Sequence, residues 1–190
     1  MKFSQVSVVQ VSFSLLNTGK KNGCAPDIIA TAKSIAGGVP LSAVIASKEV
    51  MDAVPGGTIG GTYGGNALAC AAGLEVLKLM DEGGLVKRSQ EIGKKVMAAF
   101  NEMKEKYEVV GDVRGLGAMI GVEFVKDKKT KEPNPEFVGK FIQECAKNGL
   151  LVENAGIYGN VIRFLAPLVI TDAQLDAGLE IYENAIKACM

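Results

Sequence analysis

From Leu85 to Tyr107 the chain sets Ile92, Val96, Phe100 and Met103 on one stripe, while lysine, arginine and glutamate fill nine of the remaining nineteen positions. Apolar residues three and four apart share one face of an α-helix, so this stretch buries its stripe only as a long amphipathic helix lying on another layer. Candidates for that layer flank it. Upstream, the uncharged run from Phe3 to Leu16 reads as one or two strands, and Pro26-Asp27 launches an apolar strand that ends near Lys33. Gly37-Gly38 and Pro40 interrupt before a second strand, Leu41 to Ala46. Asn66 to Met80 reads as a helix, with Leu68, Ala72, Val76 and Leu79 or Met80 at helical spacing, and Asp81-Glu-Gly-Gly84 ends it. Strands joined by short loops and followed by long helices imply an α/β fold.

Beyond the long helix the pattern changes. Val109 to Val125 reads as strand, glycine-rich turn, strand, and Lys126 to Pro133 is a solvated connection. Asn134-Pro135 opens a helix with Phe137, Phe141 and Cys145 on one face, since asparagine caps and proline suits the first turn. Leu150 to Val152 and Asn160 to Leu165 read as short strands. Thr171-Asp-Ala-Gln174 has the form of a capping box flanked by Ile170 and Leu175, and the last helix offers Leu175, Leu179, Tyr182 and Ile186 to a core. These elements form an α+β unit, and the expected division is 1–84 and 85–190.

Lysine and arginine total 21 against 21 acidic residues, so no basic surface advertises nucleic acid or an anionic membrane. No apolar run reaches membrane-spanning length and no signal-peptide pattern opens the chain, which gives a cytoplasmic expectation. Cys24, Cys70, Cys145 and Cys189 lie far apart, without the close pairs of a zinc site; Cys70 and Cys145 read as packing residues. The absence of histidine excludes Ser-His-Asp and Cys-His catalysis and histidine metal sites. Chemistry here falls to lysine, carboxylates, hydroxyls or a bound cofactor.

Three features could carry it. Lys33 closes the run Asp27-Ile-Ile-Ala-Thr-Ala and is followed by Ser-Ile-Ala-Gly-Gly38. An amine at a strand end, reachable from a cleft, can attack an aldehyde to form a Schiff base; the other reading is a solvated surface charge. Gly60-Gly61-Thr62-Tyr-Gly-Gly-Asn66 precedes a helix, where glycines and exposed N–H groups can cradle a phosphate and Thr62 adds a hydroxyl. The other reading is a flexible loop. Arg163, in Gly159-Asn-Val-Ile-Arg-Phe, is either a clamp for a ligand carboxylate or one half of a salt bridge, with Glu153 as the candidate partner. Arg114 reads as structural.

These segments, in this order, resemble the class III (ω-) aminotransferases, most closely 4-aminobutyrate aminotransferases. The resemblance runs from about Ala25 to the C-terminus through Pro26-Asp-Ile-Ile-Ala-Thr-Ala-Lys-Ser-Ile-Ala-Gly-Gly38, Gly60-Gly-Thr-Tyr-Gly-Gly-Asn66, Val113-Arg-Gly-Leu-Gly-Ala-Met-Ile120 and Tyr158-Gly-Asn-Val-Ile-Arg-Phe-Leu-Ala-Pro-Leu168. It implies a fold-type-I pyridoxal-phosphate transferase architecture, here a partial large-domain sheet plus a C-terminal α+β small domain. It also implies pyridoxal 5′-phosphate on Lys33, with Lys33 as proton shuttle, Gly61 and Thr62 at the cofactor phosphate of the neighbouring subunit in a homodimer, and Arg163 receiving the substrate carboxylate. The implied reaction moves an amino group from 4-aminobutyrate to 2-oxoglutarate.

The chain departs from the family upstream of the lysine, which only 32 residues precede. The family's phosphate-holding Gly-Ser loop and its ring-stacking aromatic residue are expected to be missing with that segment. Val9-Gln10, Phe13 and Thr18-Gly-Lys20 resemble remnants of the family motif; Gln10 is then a cofactor contact, and Ser7 stands where relatives carry the aspartate that pairs with the pyridine nitrogen. Residues 1–24 are irregular by this comparison. Two alternatives remain open: an acetylornithine or ornithine aminotransferase, and a non-catalytic remnant acting in self-association or partner binding.

Overall fold

The computed structural model describes residues 26–58 and 60–190. The chain divides into two compact units, Met1–Val86 and Lys87–Met190, against the expected 1–84 and 85–190.

In the first unit, β1 (Ile28–Thr31) and β2 (Ala43–Ala46) pair antiparallel, with Ile28 opposite Ala46 and Thr31 opposite Ala43. A parallel pair needs a crossover of a dozen or more residues that returns along the sheet, whereas the connection here is a 3-10 turn (Lys33–Ala36) and a short loop. Helix α1 (Lys48–Asp52) follows, its N-terminus capped by Ser47 Oγ accepting the Val50 N–H. Helix α2 (Ala67–Asp81) buries Ala69, Gly73 and Met80.

That face agrees with the expected one at Met80 and departs from it at Leu68, which is exposed while Ala69 is buried. The reason is close approach. A Cβ added to Gly73 would stand 2.9 Å from Leu41 Cδ2 and 3.6 Å from the Ile35 carbonyl oxygen, so the Leu41 side chain would have to shift to admit a larger residue there.

In the second unit the long helix α3 (Leu85–Lys106, its first two residues belonging to the first unit) buries Ile92, Val96, Phe100 and Met103, the stripe expected from its spacing. The strands β3 (Val110–Leu116), β4 (Met119–Phe124), β5 (Glu153–Ala155) and β6 (Val161–Phe164) form an antiparallel sheet of order β3-β4-β6-β5. Helices α4 (Pro135–Lys147) and α5 (Asp172–Cys189) complete the unit. Asn134 caps α4, with Pro135 in its first turn, and the capping box at Thr171 and Gln174 forms in full.

The fifth strand begins at Glu153, not at Leu150. The Gly156–Asn160 segment turns the chain, and pairing runs outward from it through Ala155↔Val161 and Asn154↔Ile162; the apolar Leu150–Val152 stretch lies beyond the paired residues.

Phe100, Phe141 and Tyr182 pack as a ring cluster, with centroids 4.7 Å apart for Phe100–Tyr182 and 4.6 Å for Phe141–Tyr182; Phe124 joins at 5.3 Å from Phe141. Truncating a buried phenylalanine of this kind to alanine costs about 3–5 kcal/mol. The Val113-Arg-Gly-Leu-Gly motif acquires a packing reason here. The β3–β4 turn, Gly117-Ala118, sits against α3, where a Cβ on Gly93 would lie 2.2 Å from the Gly117 carbonyl oxygen, and the Ala118 N–H donates to Ser89 Oγ at 3.2 Å. No helix among the described residues is long and apolar enough to cross a membrane.

Candidate functional site

Lys33 stands two residues past the end of β1, at the start of the 3-10 turn rather than in the strand. Its φ of +65° is in the left-handed region, which side-chain-bearing residues rarely occupy. Gly37, at φ +60°, ends the turn and donates its N–H to the Ser34 carbonyl at 3.0 Å. Only glycine makes such a conformation without cost, which accounts for the first glycine of Ser-Ile-Ala-Gly-Gly.

The turn packs against α2, with Ala36 and Ala69 buried. The Lys33 side chain is exposed, and no hydrogen bond or ion pair engages it among the described residues. On either side of it Thr31 Oγ1 and Ser34 Oγ are buried without a partner. An unsatisfied buried hydroxyl costs about 1–3 kcal/mol. Two of them bracketing one lysine mark this turn as unusual for a segment serving stability alone. The sequence reading passed over both, although the run Thr31-Ala-Lys-Ser34 carried the signal.

Gly61 and Thr62 lie in the loop that enters α2. The Gly64 N–H donates to the Gly61 carbonyl at 3.0 Å, Gly65 takes φ +69°, and Asn66 caps the helix by accepting the Ala69 N–H at 3.1 Å. Gly61 and Thr62 are exposed, and a Cβ added at Gly60 or Gly61 meets nothing within 4 Å. One helix thus organises both features of the first unit, since this loop ends at the N-terminus of α2 and the Lys33 turn packs beneath the same helix. Gln10 lies outside the described residues.

Arg163 belongs to the second unit. On β6 it faces Glu153 of β5 and Gly121 of β4, and its Nη2 donates to Glu153 Oε2 at 3.3 Å. The salt bridge anticipated from the sequence is formed, but Arg163 Nε is buried with no partner. Arg114 differs. Its Nη1 donates to Asp112 Oδ2 at 2.9 Å and to Glu123 Oε2 at 2.5 Å, and these hydrogen bonds to carboxylates raise its pKa further.

Asn160, three residues before Arg163, is buried and ties β6 to the end of β4: its side-chain amide donates to the Phe124 carbonyl at 3.0 Å, and its backbone carbonyl accepts the Phe124 N–H at 2.8 Å. Cys145 is fully buried, and burial pushes its thiol up to about 12, so it serves packing rather than chemistry.

Residues 16–186 match the family described as aminotransferase class-III. The chain is 47% identical over 163 residues to a probable 4-aminobutyrate aminotransferase of Bacillus subtilis, covering 86% of this chain and 37% of the relative. It is also 47% identical over 162 residues to a 5-aminovalerate aminotransferase of Pseudomonas putida, covering 85% of this chain and 38% of that protein. Among solved structures, an amine transaminase from an uncultivated Pseudomonas species in its PLP-bound form aligns with a TM-score of 0.80 at 31% identity, over 90% of this chain and 40% of the other.

The chain therefore spans little more than a third of the curated relatives it matches. The fold is α/β and matches part of the fold-type-I aminotransferase architecture. With the lysine turn, the glycine loop and the Arg163 strand all inside the matched residues, this chain belongs to the class-III aminotransferase family.

Proposed function

We propose that this chain supplies the cofactor-anchoring lysine and the carboxylate-receiving arginine of a pyridoxal-phosphate-dependent ω-aminotransferase acting on 4-aminobutyrate or a homologous ω-amino acid, with 2-oxoglutarate as acceptor. The observation that carries the reading is Lys33, held at φ +65° with no partner on its amine among the described residues and two orphaned hydroxyls beside it. The residues present fit pyridoxal phosphate. They offer an accessible primary amine for its aldehyde and an open glycine loop at a helix N-terminus for its phosphate.

When bound, that group supplies the electron sink that makes transfer of an amino group possible. Lys33 Nζ would anchor it, and the same amine would take and return a proton at the substrate carbon that bears nitrogen. The Gly61 N–H and the Thr62 hydroxyl would donate to the phosphate, in a homodimer the one carried by the neighbouring subunit. Arg163 receives the substrate carboxylate, its planar fork suiting two oxygens at once. A cytoplasmic setting is part of the same reading.

The test is direct. Adding pyridoxal phosphate to the chain, reducing with borohydride and mapping the product by mass spectrometry should place the pyridoxyl group on Lys33. Equal labelling of Lys33→Ala at other lysines would sink the assignment.

A second reading, association without turnover, is favoured by the exposed Leu68, Leu74, Leu77 and Leu79 of α2. Specific labelling at Lys33 counts against it, and self-association with no specific labelling counts for it.

A further inference from the structure

We propose that Asn148, followed by Gly149, is a site of spontaneous deamidation held in check by the last turn of helix α4, and that the acid it forms uncaps that helix.

The chemistry needs water and no oxidant. The backbone nitrogen of the residue after an asparagine attacks the side-chain carbonyl carbon and closes a cyclic imide. The Cγ–Nδ2 bond breaks, and the side-chain nitrogen leaves as ammonia with the proton that the attacking nitrogen gives up. Water then opens the ring at either carbonyl, leaving aspartate or isoaspartate. Glycine hinders this attack least, because it carries no Cβ. Among the described residues, Asn148-Gly149 is the one asparagine-glycine step. It is open to water: both residues are exposed, and a Cβ added to Gly149 would meet nothing within 4 Å.

Both partners in the reaction are restrained. Asn148 is the C-cap of α4. Its Nδ2, the leaving group, donates to the Glu144 carbonyl at 2.8 Å and to Glu144 Oε1 at 3.2 Å. The attacking atom, Gly149 N, donates its hydrogen to the Ala146 carbonyl at 3.1 Å. These bonds turn the amide back along the helix and occupy the nucleophile, so attack waits until the last turn opens. Helix ends open far more readily than the core they flank. Glu144 supplies the side-chain acceptor in this set, and its other oxygen is held by Lys147 Nζ at 3.1 Å. That carboxylate is therefore the replaceable part of the guard.

The product inverts the contact. An aspartate at 148 has no N–H to give, and its charge falls beside the carbonyl and carboxylate of Glu144 at the C-terminal end of a helix, where negative charge is unfavourable. Helix α4 carries Phe137, Phe141 and Cys145 into the core, so a loosened end reaches the packing of the second unit.

The full chain is aged in mildly alkaline buffer, folded and in urea, and mapped by peptide mass spectrometry. The mass change of an amide becoming an acid is expected at Asn148, more slowly in the folded parent than in urea. Folded Glu144→Ala should age about two- to ten-fold faster than the folded parent, the factor that follows from removing one hydrogen bond. Glu144→Gln, which keeps an acceptor oxygen, should age at the parent's rate. Asn148→Asp should melt below the parent, and by less when Glu144→Ala accompanies it. No conversion in the folded parent over a period that converts the chain in urea overturns the site. Equal rates for the folded parent and Glu144→Ala, or Glu144→Gln ageing as fast as Glu144→Ala, overturn the guard, and Asn148→Asp melting with the parent overturns the uncapping.

Discussion

At Lys33 the backbone sits at φ +65°, and a left-handed residue with a Cβ costs about 1–2 kcal/mol where glycine costs little. The strain belongs to the position, not to the amine. Lys33→Ala should therefore keep it, and Lys33→Gly should relieve it. Urea denaturation is expected to find the glycine variant more stable than the alanine variant by about 0.5–1 kcal/mol, despite the greater freedom of glycine in the unfolded chain. Alanine equal to or better than glycine would show that the turn is not strained. Residue by residue, what was legible in the sequence were side chains whose partners follow from spacing: Phe100, Phe141 and Tyr182 on their helical stripes, and Glu153 opposite Arg163. The conformation of Lys33 and the orphaned hydroxyls of Thr31 and Ser34 were not, because they depend on what packs over the turn from elsewhere in the chain.

Among the elements, α3 and the entry to α5 are joined by Arg88, whose bond to Asp172 lies beside the capping Thr171. The hydrogen bond and charge of Arg88 hold the Asp172 carboxyl below its usual range. A carboxylate depressed in the folded state stabilises fully above its unfolded pKa, about 3.9, and loses that contribution as pH falls through the lower folded value. Arg88→Met should thus lower the urea midpoint most near neutrality, the gap narrowing in strong acid to what the pH-independent bond from Arg88 to the Ile170 carbonyl contributes. Curves that stay parallel to the lowest pH would remove the pair from the account.

Elements were legible where one face meets a continuous core, as in α3 and α4. They were misread where packing distance decides. In α2 the spacing set Leu68, Ala72, Val76 and Leu79 or Met80 on one stripe; Met80 is buried, but Leu68 is exposed and the buried face runs through Ala69 and Gly73, against which the lysine turn packs. The fifth strand was placed by its apolar content, whereas its register is set by the turn that follows it.

Across the whole molecule the two units differ in how fully they bury their apolar residues. The second closes a core around Phe100, Phe124, Phe141 and Ile186, whereas the first leaves Ile28, Val44, Ile45 and four leucines of α2 exposed. Contiguous exposed apolar surface drives association. Sedimentation should accordingly show mass rising with concentration, and Leu74→Lys with Leu77→Lys should suppress the rise; an unchanged profile would place the contact elsewhere. The α/β class was legible at this scale from the alternation of strand and helix patterns, but the antiparallel pairing of β1 and β2 was not, because it turns on the short connection between them. The ring cluster has a practical consequence for any such measurement. The chain has no tryptophan, so its near-ultraviolet circular dichroism comes mainly from tyrosine, and the two tyrosines in ordered surroundings both lie in the second unit: Tyr182 between Phe100 and Phe141, and Tyr107 bonded to Glu183 at 2.8 Å. Tyr63 and Tyr158 are open to solvent. That spectrum is a built-in optical probe of one unit, able to follow its melting while amide signals follow both.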